Sequence, residues 1–177
     1  MQPKLPHLPC RRASRFRTGA HPSYVRWRAM PTIVLVQPQI AGNVGAVLRT
    51  ASNFDTPVHG VEPFGFVMTE KALRRANMDY PVEFTRHATV EAYLSDPTPA
   101  RRILMTTRAD TELHDFVFAP EDHIIFGNEG SGAPKAVHTA ADASVRIPVS
   151  GRSLNLSVSV AITLFEALRQ TGKLPRG

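Results

Sequence analysis

The stretch Ile147-Pro-Val-Ser-Gly-Arg-Ser-Leu-Asn-Leu-Ser157 is the most informative part of this 177-residue chain. It begins in Ser144–Ile147, which has the pattern of a strand, and it ends in Leu156–Gln170, which has the pattern of a helix. The helix carries one apolar stripe, formed by Leu156, Val160, Leu164, Ala167 and Leu168. The sequence therefore predicts a strand, a turn containing glycine and serine, and a long amphipathic helix in succession.

Outward from this stretch, short apolar runs alternate with helical patterns. The other predicted strands are Thr32–Gln37, Val58–Val61, Val82–Phe84, Arg102–Thr106 and His123–Phe126. The other predicted helices are Val44–Phe54, Thr69–Asn77, Thr89–Leu94 and Lys135–Ala140. Because strands that alternate with helices form layered parallel sheets, the pattern predicts an α/β domain with a mainly parallel sheet and helices on both faces.

Two more glycine-containing turns follow predicted strands. They are Gln39-Ile-Ala-Gly-Asn-Val-Gly45 and Phe126-Gly-Asn-Glu-Gly-Ser-Gly-Ala-Pro134. Ligands of open α/β sheets lie beyond the carboxyl ends of the strands, and glycine lets backbone amides approach them closely. We therefore expect the three turns to line one pocket. The first turn lacks the full G-x-G-x-x-G spacing, and no Gly-Lys-Ser/Thr follows a glycine loop, which excludes a P-loop.

The composition indicates a globular chain with a real core, since 42% of the residues are hydrophobic and 20% are charged. No apolar run is long enough to span a membrane. The single cysteine, Cys10, excludes an intramolecular disulfide framework, and the seven histidines show no metal-ligand spacing. The sequence thus predicts no metal and no membrane association, with a reducing, cytoplasmic location as the default.

The net charge of +6 is concentrated at one end of the chain. Residues 1–30 hold seven of the 21 basic residues, four prolines and no acid, so residues 31–177 hold 14 basic and 15 acidic residues. Residues 1–30 are predicted to be a disordered basic tail. A non-native start upstream of Met30 is the favoured explanation. A targeting peptide is the second and a basic arm that grasps RNA is the third.

The body of the chain also carries a set of motifs in a specific order. They are Asn43-Val-Gly45 with Leu48-Arg49, Val61-Glu-Pro-Phe-Gly-Phe66, Ala72-Leu-Arg-Arg-Ala76 with Met78-Asp-Tyr80, Arg86-His87, Arg146-Ile-Pro148, Arg152-Ser-Leu-Asn-Leu-Ser157 and Phe165-Glu-Ala167. Together they resemble the SPOUT superfamily of RNA methyltransferases and, within it, the tRNA (cytidine(34)-2′-O)-methyltransferase group. The resemblance runs from about Thr32 to Leu174 and leaves out the tail.

The resemblance implies an α/β domain, residues 31–177, whose C-terminal segment forms a trefoil knot, together with the cofactor S-adenosyl-L-methionine. The residues that it places around the cofactor are Met105, Gly127, Ile147 and Ser153, with Glu129, Leu154 and Asn155 close by. Gly127 and neighbouring backbone groups would hydrogen-bond the adenine edge, and Met105 and Ile147 would cover its faces. From the residues alone, Met105 and Ile147 are equally typical of strand core, and Asn155 of a helix N-cap.

Arg49 is the candidate catalytic residue, because a matching arginine has that role in the family that the chain resembles. An arginine side chain is a poor literal base, so we expect Arg49 to grip phosphate and ribose and to stabilise developing negative charge. Arg152 is the main candidate contact to the RNA backbone. The weaker candidates, for contacts to the anticodon arm, are Arg74, Arg75, Arg86, Lys71 and His87. For His87 a structural role is the simpler interpretation, as is a helix-surface role for Arg49 without the resemblance.

The resemblance implies 2′-O-methylation of the wobble nucleotide in a tRNA anticodon stem-loop by a C2 homodimer that uses the first and last helices. The chain departs from the family pattern at Phe165, Ser131 and Val158, where tyrosine, arginine and asparagine are usual. These departures put the RNA target in doubt. The alternatives are another tRNA or rRNA position, a non-catalytic RNA-binding module of the same fold, and a small nucleotide-binding protein that does not bind RNA.

Overall fold

The computed structural model describes residues 15–16, 30–68, 82–97 and 101–175. Its strands are β1 (Arg15–Phe16), β2 (Thr32–Val36), β3 (Val58–Val61), β4 (Phe84–His87), β5 (Arg102–Met105), β6 (Thr111–Glu112), β7 (His123–Phe126) and β8 (Ala143–Arg146). Its helices are α1 (Ala41–Asn53), α2 (Val90–Leu94), α3 (Lys135–Ala140) and α4 (Leu156–Gln170), with a 3-10 turn at Leu113–Asp115. The predicted helix Thr69–Asn77 lies outside the described residues.

The described strands form one sheet in the order β1-β4-β3-β2-β7-β5-β8-β6. Every pairing is parallel except that of β1 with β4, which is antiparallel. The predicted α/β class with a mainly parallel sheet is therefore confirmed. Two of the strands were not predicted. One is β6, whose Glu112 forms an ion pair with Arg146 of the neighbouring strand. The other is β1, which lies within the basic tail.

Alternate residues of the central strand β2 point into two different cores. Ile33 and Leu35 belong to a large core with residues of α1 and α4, while Val34 and Val36 belong to a smaller core with residues of α2 and α3. This alternation follows from the two-residue period of a strand. Helices therefore cover both faces, as predicted, and α1 packs against α4 on one of them.

The smaller core carries a polar group, the histidine cluster, formed by the half-buried His59 and the buried His87, His123 and Tyr93. The Nε2 atom of His87 lies 3.2 Å from Nδ1 of His59, and the Tyr93 hydroxyl lies 3.2 Å from Nδ1 of His123. Burial lowers the pKa of His87, and burial together with the nearby Arg102 lowers the pKa of His123 to about 4. His87 and His123 are thus held neutral, and His87 has the structural role that its sequence context favoured.

Candidate active site

Three neighbouring strands bring the predicted cofactor residues to one edge of the sheet. In the parallel register, Met105 at the end of β5 lies opposite Phe126 of β7 and Val145 of β8. The backbone N–H of Thr106 donates to the Val145 carbonyl at 2.9 Å, so the strands stay paired to their carboxyl ends. Gly127 follows directly after β7, and Ile147 directly after β8. Met105, Gly127 and Ile147 therefore lie at the same edge, where α/β sheets bind ligands.

The loop after β7 closes on itself and needs a glycine at its first position. Asn128 and Gly132 exchange two backbone hydrogen bonds of 3.2 and 3.1 Å, and the Asn128 side-chain oxygen accepts from the N–H groups of Gly130 and Ser131. A Cβ atom on Gly127 would stand 2.2 Å from the backbone nitrogen of Ala133. No side chain fits there without moving the loop, which explains the glycine in physical terms.

Glu129 projects from this loop to the first turn. One carboxylate oxygen accepts the backbone N–H of Gln39 at 2.8 Å, and the other accepts the side-chain amide N–H of Asn43 at 2.8 Å. Burial alone would raise the pKa of Glu129, but the hydrogen bonds from Asn43 and Gln39 outweigh it, so the pKa lies below its ordinary value. Glu129 is therefore a carboxylate at neutral pH, bound at the N-terminal end of α1.

Asn155 joins the third turn to the same group. Its side-chain N–H donates to the side-chain oxygen of Asn43 at 2.9 Å, and its own side-chain oxygen accepts the backbone N–H of Ser157 at 2.9 Å. Asn155 is thus the N-cap of α4, as its position indicated, and it also holds α1. We call Gln39, Asn43, Glu129 and Asn155 the turn network, since they fasten the three glycine-containing turns to one another.

The turn network includes Gln39 and Asn43, which lie in the first predicted glycine-containing turn but were not predicted to have a role of their own. Asn43 was interpreted as part of this turn, just before a helix predicted to begin at Val44, and that start was wrong by three residues because α1 begins at Ala41. The buried Asn43 side chain is used for Glu129 and Asn155 instead of for capping. The available signal was weak: an asparagine inside the first turn of a helix is an unfavourable choice unless its side chain is engaged elsewhere.

The remaining cofactor candidates differ in their surroundings. Met105 is buried within the large core, and Ile147 is half-buried against it. Ser153 is exposed and Leu154 is half-buried, both in the turn before Asn155. Ideal Cβ atoms on Gly132 and Gly151 would meet nothing within 4 Å, so open space adjoins both the second and the third turn.

The basic candidates lie in different settings. Arg49 is exposed on α1, roughly 9 Å along the helix axis from Asn43 at 1.5 Å per residue. Arg152 is exposed in the third turn. Arg86 is half-buried and forms an ion pair with Glu62. The candidates Arg74, Arg75 and Lys71 lie outside the described residues.

Metal-ligating groups and membrane-spanning helices are both lacking in the part of the chain that the structure describes. Its residues contain no group of three or more histidine, cysteine, aspartate or glutamate side chains arranged to hold a metal ion. In the same described ranges, no helix combines the length and the apolar character needed to cross a bilayer.

Comparison with known proteins places the chain among RNA methyltransferases. Residues 30–165 match the model of the SpoU rRNA Methylase family. Two relatives are named tRNA (cytidine(34)-2′-O)-methyltransferase. The one from Polaromonas sp. is 41% identical over 151 residues, covering 81% of this chain and 92% of the relative. The one from Escherichia coli K12 is 38% identical over 151 residues, covering 81% and 95%.

Solved structures agree with this placement. A structure described as giving insights into the 2-OH methylation of C/U34 on tRNA superposes with a TM-score of 0.75 at 36% identity, covering 80% of this chain and 96% of the other. The SpoU methyltransferase AviRb from Streptomyces viridochromogenes, in complex with AdoMet, has a TM-score of 0.69 at 24% identity, covering 86% and 62%. The second likeness is one of fold.

Proposed function

The chain belongs to the SpoU rRNA Methylase family, and from this premise we propose that it transfers a methyl group from S-adenosylmethionine to the ribose 2′-hydroxyl of nucleotide 34 in a tRNA. The observation that carries the proposal is the turn network, which joins the three turns at the carboxyl edge of the sheet. Relatives and a solved structure that carry this activity in their names cover most of the chain.

The residues at the sheet edge fit S-adenosylmethionine. Met105 and Ile147 offer apolar surface, the loop at Gly127 offers backbone groups, and open space adjoins Gly132 and Gly151. Ser153 and Leu154 would close the pocket from the third turn, while Glu129 and Asn155 would hold its walls in place. When bound, S-adenosylmethionine supplies a methyl group on a sulfonium, which needs no metal for its transfer.

The chain's own residues then have to present and activate the ribose oxygen. We infer that Arg49 grips a phosphate next to the target ribose and stabilises the negative charge that develops on the 2′-oxygen as its proton leaves to solvent. An arginine is suited to this task because it remains charged and forms two parallel hydrogen bonds to a phosphate. Asn43 and Glu129 set the position of α1, and therefore of Arg49, relative to the pocket.

Contacts to the anticodon stem-loop belong to the same proposal. Arg152 stands exposed beside the pocket and suits a phosphate contact, as Arg74 and Arg75 do from the basic segment before β4. Because Arg86 is paired with Glu62, it is a weaker candidate than its charge indicated. A tRNA substrate also fits the cytoplasmic location that the composition favours.

The outer face of α4 supports assembly into a homodimer. Its buried stripe packs on the large core, yet Val158, Ile162 and Phe165 are 45%, 39% and 49% exposed and recur at helical spacing on another side. Two of these are positions where the family pattern has asparagine and tyrosine, so this chain is more apolar there. We infer a C2 interface through this stripe and α1, and a knotted C-terminal segment as in the family that the chain resembles.

The decisive experiment is methylation of unmodified tRNA by the purified protein with labelled S-adenosylmethionine, followed by mass spectrometry of the nuclease fragments. We expect one 2′-O-methylated nucleotide, at position 34. Modification at another tRNA position or in rRNA would redirect the proposal to a different target. Calorimetry that detects no binding of S-adenosylmethionine would exclude the enzyme and favour an RNA-binding module.

A further inference from the structure

The loop of residues 62–67 lies directly on the first turn of the site. The backbone N–H of Gly65 donates to the Pro38 carbonyl at 2.9 Å. The backbone just before this turn is unusual, because Gln37 has a φ of 53°, a left-handed conformation that side-chain-bearing residues seldom adopt. The Gln39 side-chain N–H donates back to the Gln37 carbonyl at 2.7 Å. The loop therefore packs against the start of the first turn, where the backbone is strained.

The contact leaves room for glycine and for no other residue. A Cβ atom on Gly65 would lie 2.8 Å from the Cα atom of Gln39, and 2.5 and 2.9 Å from its side-chain Oε1 and Cδ atoms. The side-chain atoms of Gln39 can swing away, whereas its Cα can move only with the backbone. Adding one methyl group at Gly65 would therefore push the backbone of the first turn.

This displacement would disturb the turn network at the hydrogen bond between Gln39 and Glu129. The backbone N–H of Gln39 is the group that donates to Glu129, and the carbonyl of Ile40, the next residue, accepts the first hydrogen bonds of α1 from Asn43 and Val44. A displacement of Gln39 therefore changes the position of the N-terminal end of α1, the helix that carries Arg49. Misplacing a reacting group by about 1 Å can cost on the order of 100-fold in rate.

The loop is fastened at its other end and cannot simply move aside. The Glu62 backbone N–H donates to the His87 carbonyl at 2.9 Å, and the Glu62 carboxylate pairs with Arg86. The Arg86 guanidinium lies 5.7 Å from the centre of the Phe64 ring, which in turn stacks on Phe66 at 5.8 Å. Both phenylalanines pack against the large core.

We propose that Gly65 is a positioning residue for the methyl transfer and that residues 62–66 of this loop are the buttress that fixes the first turn. This inference rests on the proposed function. Arg86 then has a structural role that its sequence context did not indicate, because it holds the loop in place through Glu62 and Phe64.

The test is the variant Gly65→Ala, with Val67→Ala as the matched control, since Val67 lies in the same loop and is 82% exposed. For Gly65→Ala we expect kcat to fall roughly tenfold or more, with KM for tRNA and the Kd for S-adenosylmethionine within about threefold of wild type. Val67→Ala should match wild type. An unchanged kcat in folded Gly65→Ala protein, or a loss that resides wholly in cofactor affinity, would overturn the proposal.

A second measurement separates this inference from the proposed activity. Hydrogen exchange of the Gln39 amide reports its bond to Glu129 directly, and we expect exchange to accelerate in Gly65→Ala even if the substrate is not tRNA. Failure of wild-type protein to methylate tRNA contradicts the proposed function. Unchanged exchange at Gln39 contradicts the buttress.

Should Gly65→Ala not fold, Glu62→Gln decides the question. It loosens the anchor without adding a heavy atom, and it frees the positive charge of Arg86, so it cannot weaken the attraction to RNA. We expect kcat to fall about threefold, a smaller effect than a 1 Å displacement would give, with tRNA affinity unchanged or tighter. A wild-type kcat in folded Glu62→Gln protein would overturn the proposal.

Discussion

The turn network and the histidine cluster are both polar groups on one sheet. The turn network contains a charged carboxylate, whereas the histidine cluster contains neutral side chains. Glu129 sits at the carboxyl edge, where three hydrogen-bonding turns meet, and its carboxylate is stabilised in the charged form. His123 lies inside the smaller core, where burial and Arg102 keep it neutral. The surroundings therefore set the charge of each group: hydrogen bonds favour the charged form of Glu129, and burial disfavours the charged form of His123.

The largest expected effect tests whether methyl transfer takes place at the carboxyl edge of the sheet. For Arg49→Ala we expect kcat to fall by about 10²–10³, the range seen when one group that stabilises developing negative charge is removed. Steady-state methylation assays at saturating S-adenosylmethionine measure this. Lys173→Ala, at an exposed position just after α4, is the control. Full activity in folded Arg49→Ala protein would remove Arg49 from the catalytic role.

The next effect concerns the histidine cluster and appears in stability. The pKa of His123 is about 4 in the folded protein, against 6.5 for an ordinary histidine, so below pH 6.5 the unfolded chain binds a proton that the folded chain does not. Stability should therefore fall as the pH drops from about 6.5 towards 4, by up to roughly 3 kcal/mol at about 1.36 kcal/mol per pKa unit. The lowered pKa of His87 acts in the same direction.

Urea unfolding at a series of pH values measures this dependence. His123→Leu should flatten the curve between about pH 6.5 and 4, because the titrating group is gone. His138→Gln, which alters an exposed histidine outside the cluster, is the control. If His123→Leu and wild type show the same dependence of stability on pH, the cluster does not hold His123 neutral. The contrast between His123 and the charged Glu129 would then disappear.

The two regions also differ in how much of them the sequence could predict. The bounds of α4 were predicted correctly, because its apolar stripe and its cap at Asn155 are both local signals. The three turns could be placed at one edge, since the carboxyl ends of parallel strands meet there. The bond from Glu129 to Asn43 joins residues 86 apart in the chain, and that from Asn155 to Asn43 joins residues 112 apart. No local pattern encodes such pairs.

The histidine cluster could not be predicted for a related reason. Its members come from three strands and a short helix, so each histidine lies in a different segment of the sequence. Only the strand order, with β2 between β3 and β7, brings His59 and His123 within 5.3 Å between ring centres. The assignments of residues to catalysis, cofactor binding and RNA binding stay predictions, as does that of the basic tail to disorder. These residues are Arg49, Met105, Gly127, Glu129, Ile147, Ser153, Leu154, Asn155, Arg152, Arg74, Arg75 and Arg86.

A smaller effect tests the charge of Glu129. Glu129→Gln keeps the shape of the side chain but turns one acceptor into a donor that faces either the Gln39 N–H or the Asn43 amide. We expect kcat/KM to fall roughly tenfold, about 1.4 kcal/mol, in line with the loss of one hydrogen bond to a charged group. Glu121→Gln, at an exposed position, is the control. Equal activities for both variants would mean that the network needs no carboxylate.

The smallest effect concerns Arg86, which lies on the border between the two regions, next to His87 and paired with Glu62. Removing one ion pair between the protein and an RNA phosphate should reduce the slope of log K against log salt by roughly 0.7–0.9. We expect Arg152→Gln to reduce the slope for tRNA binding by about that much, because Arg152 is exposed beside the pocket. Arg86→Gln should reduce the slope clearly less, since Glu62 already neutralises the charge of Arg86 and the substitution acts on loop position.

Salt titrations of tRNA affinity compare the two variants. Equal reductions of slope would make Arg86 a direct RNA contact and extend the substrate surface from the turn network to β4.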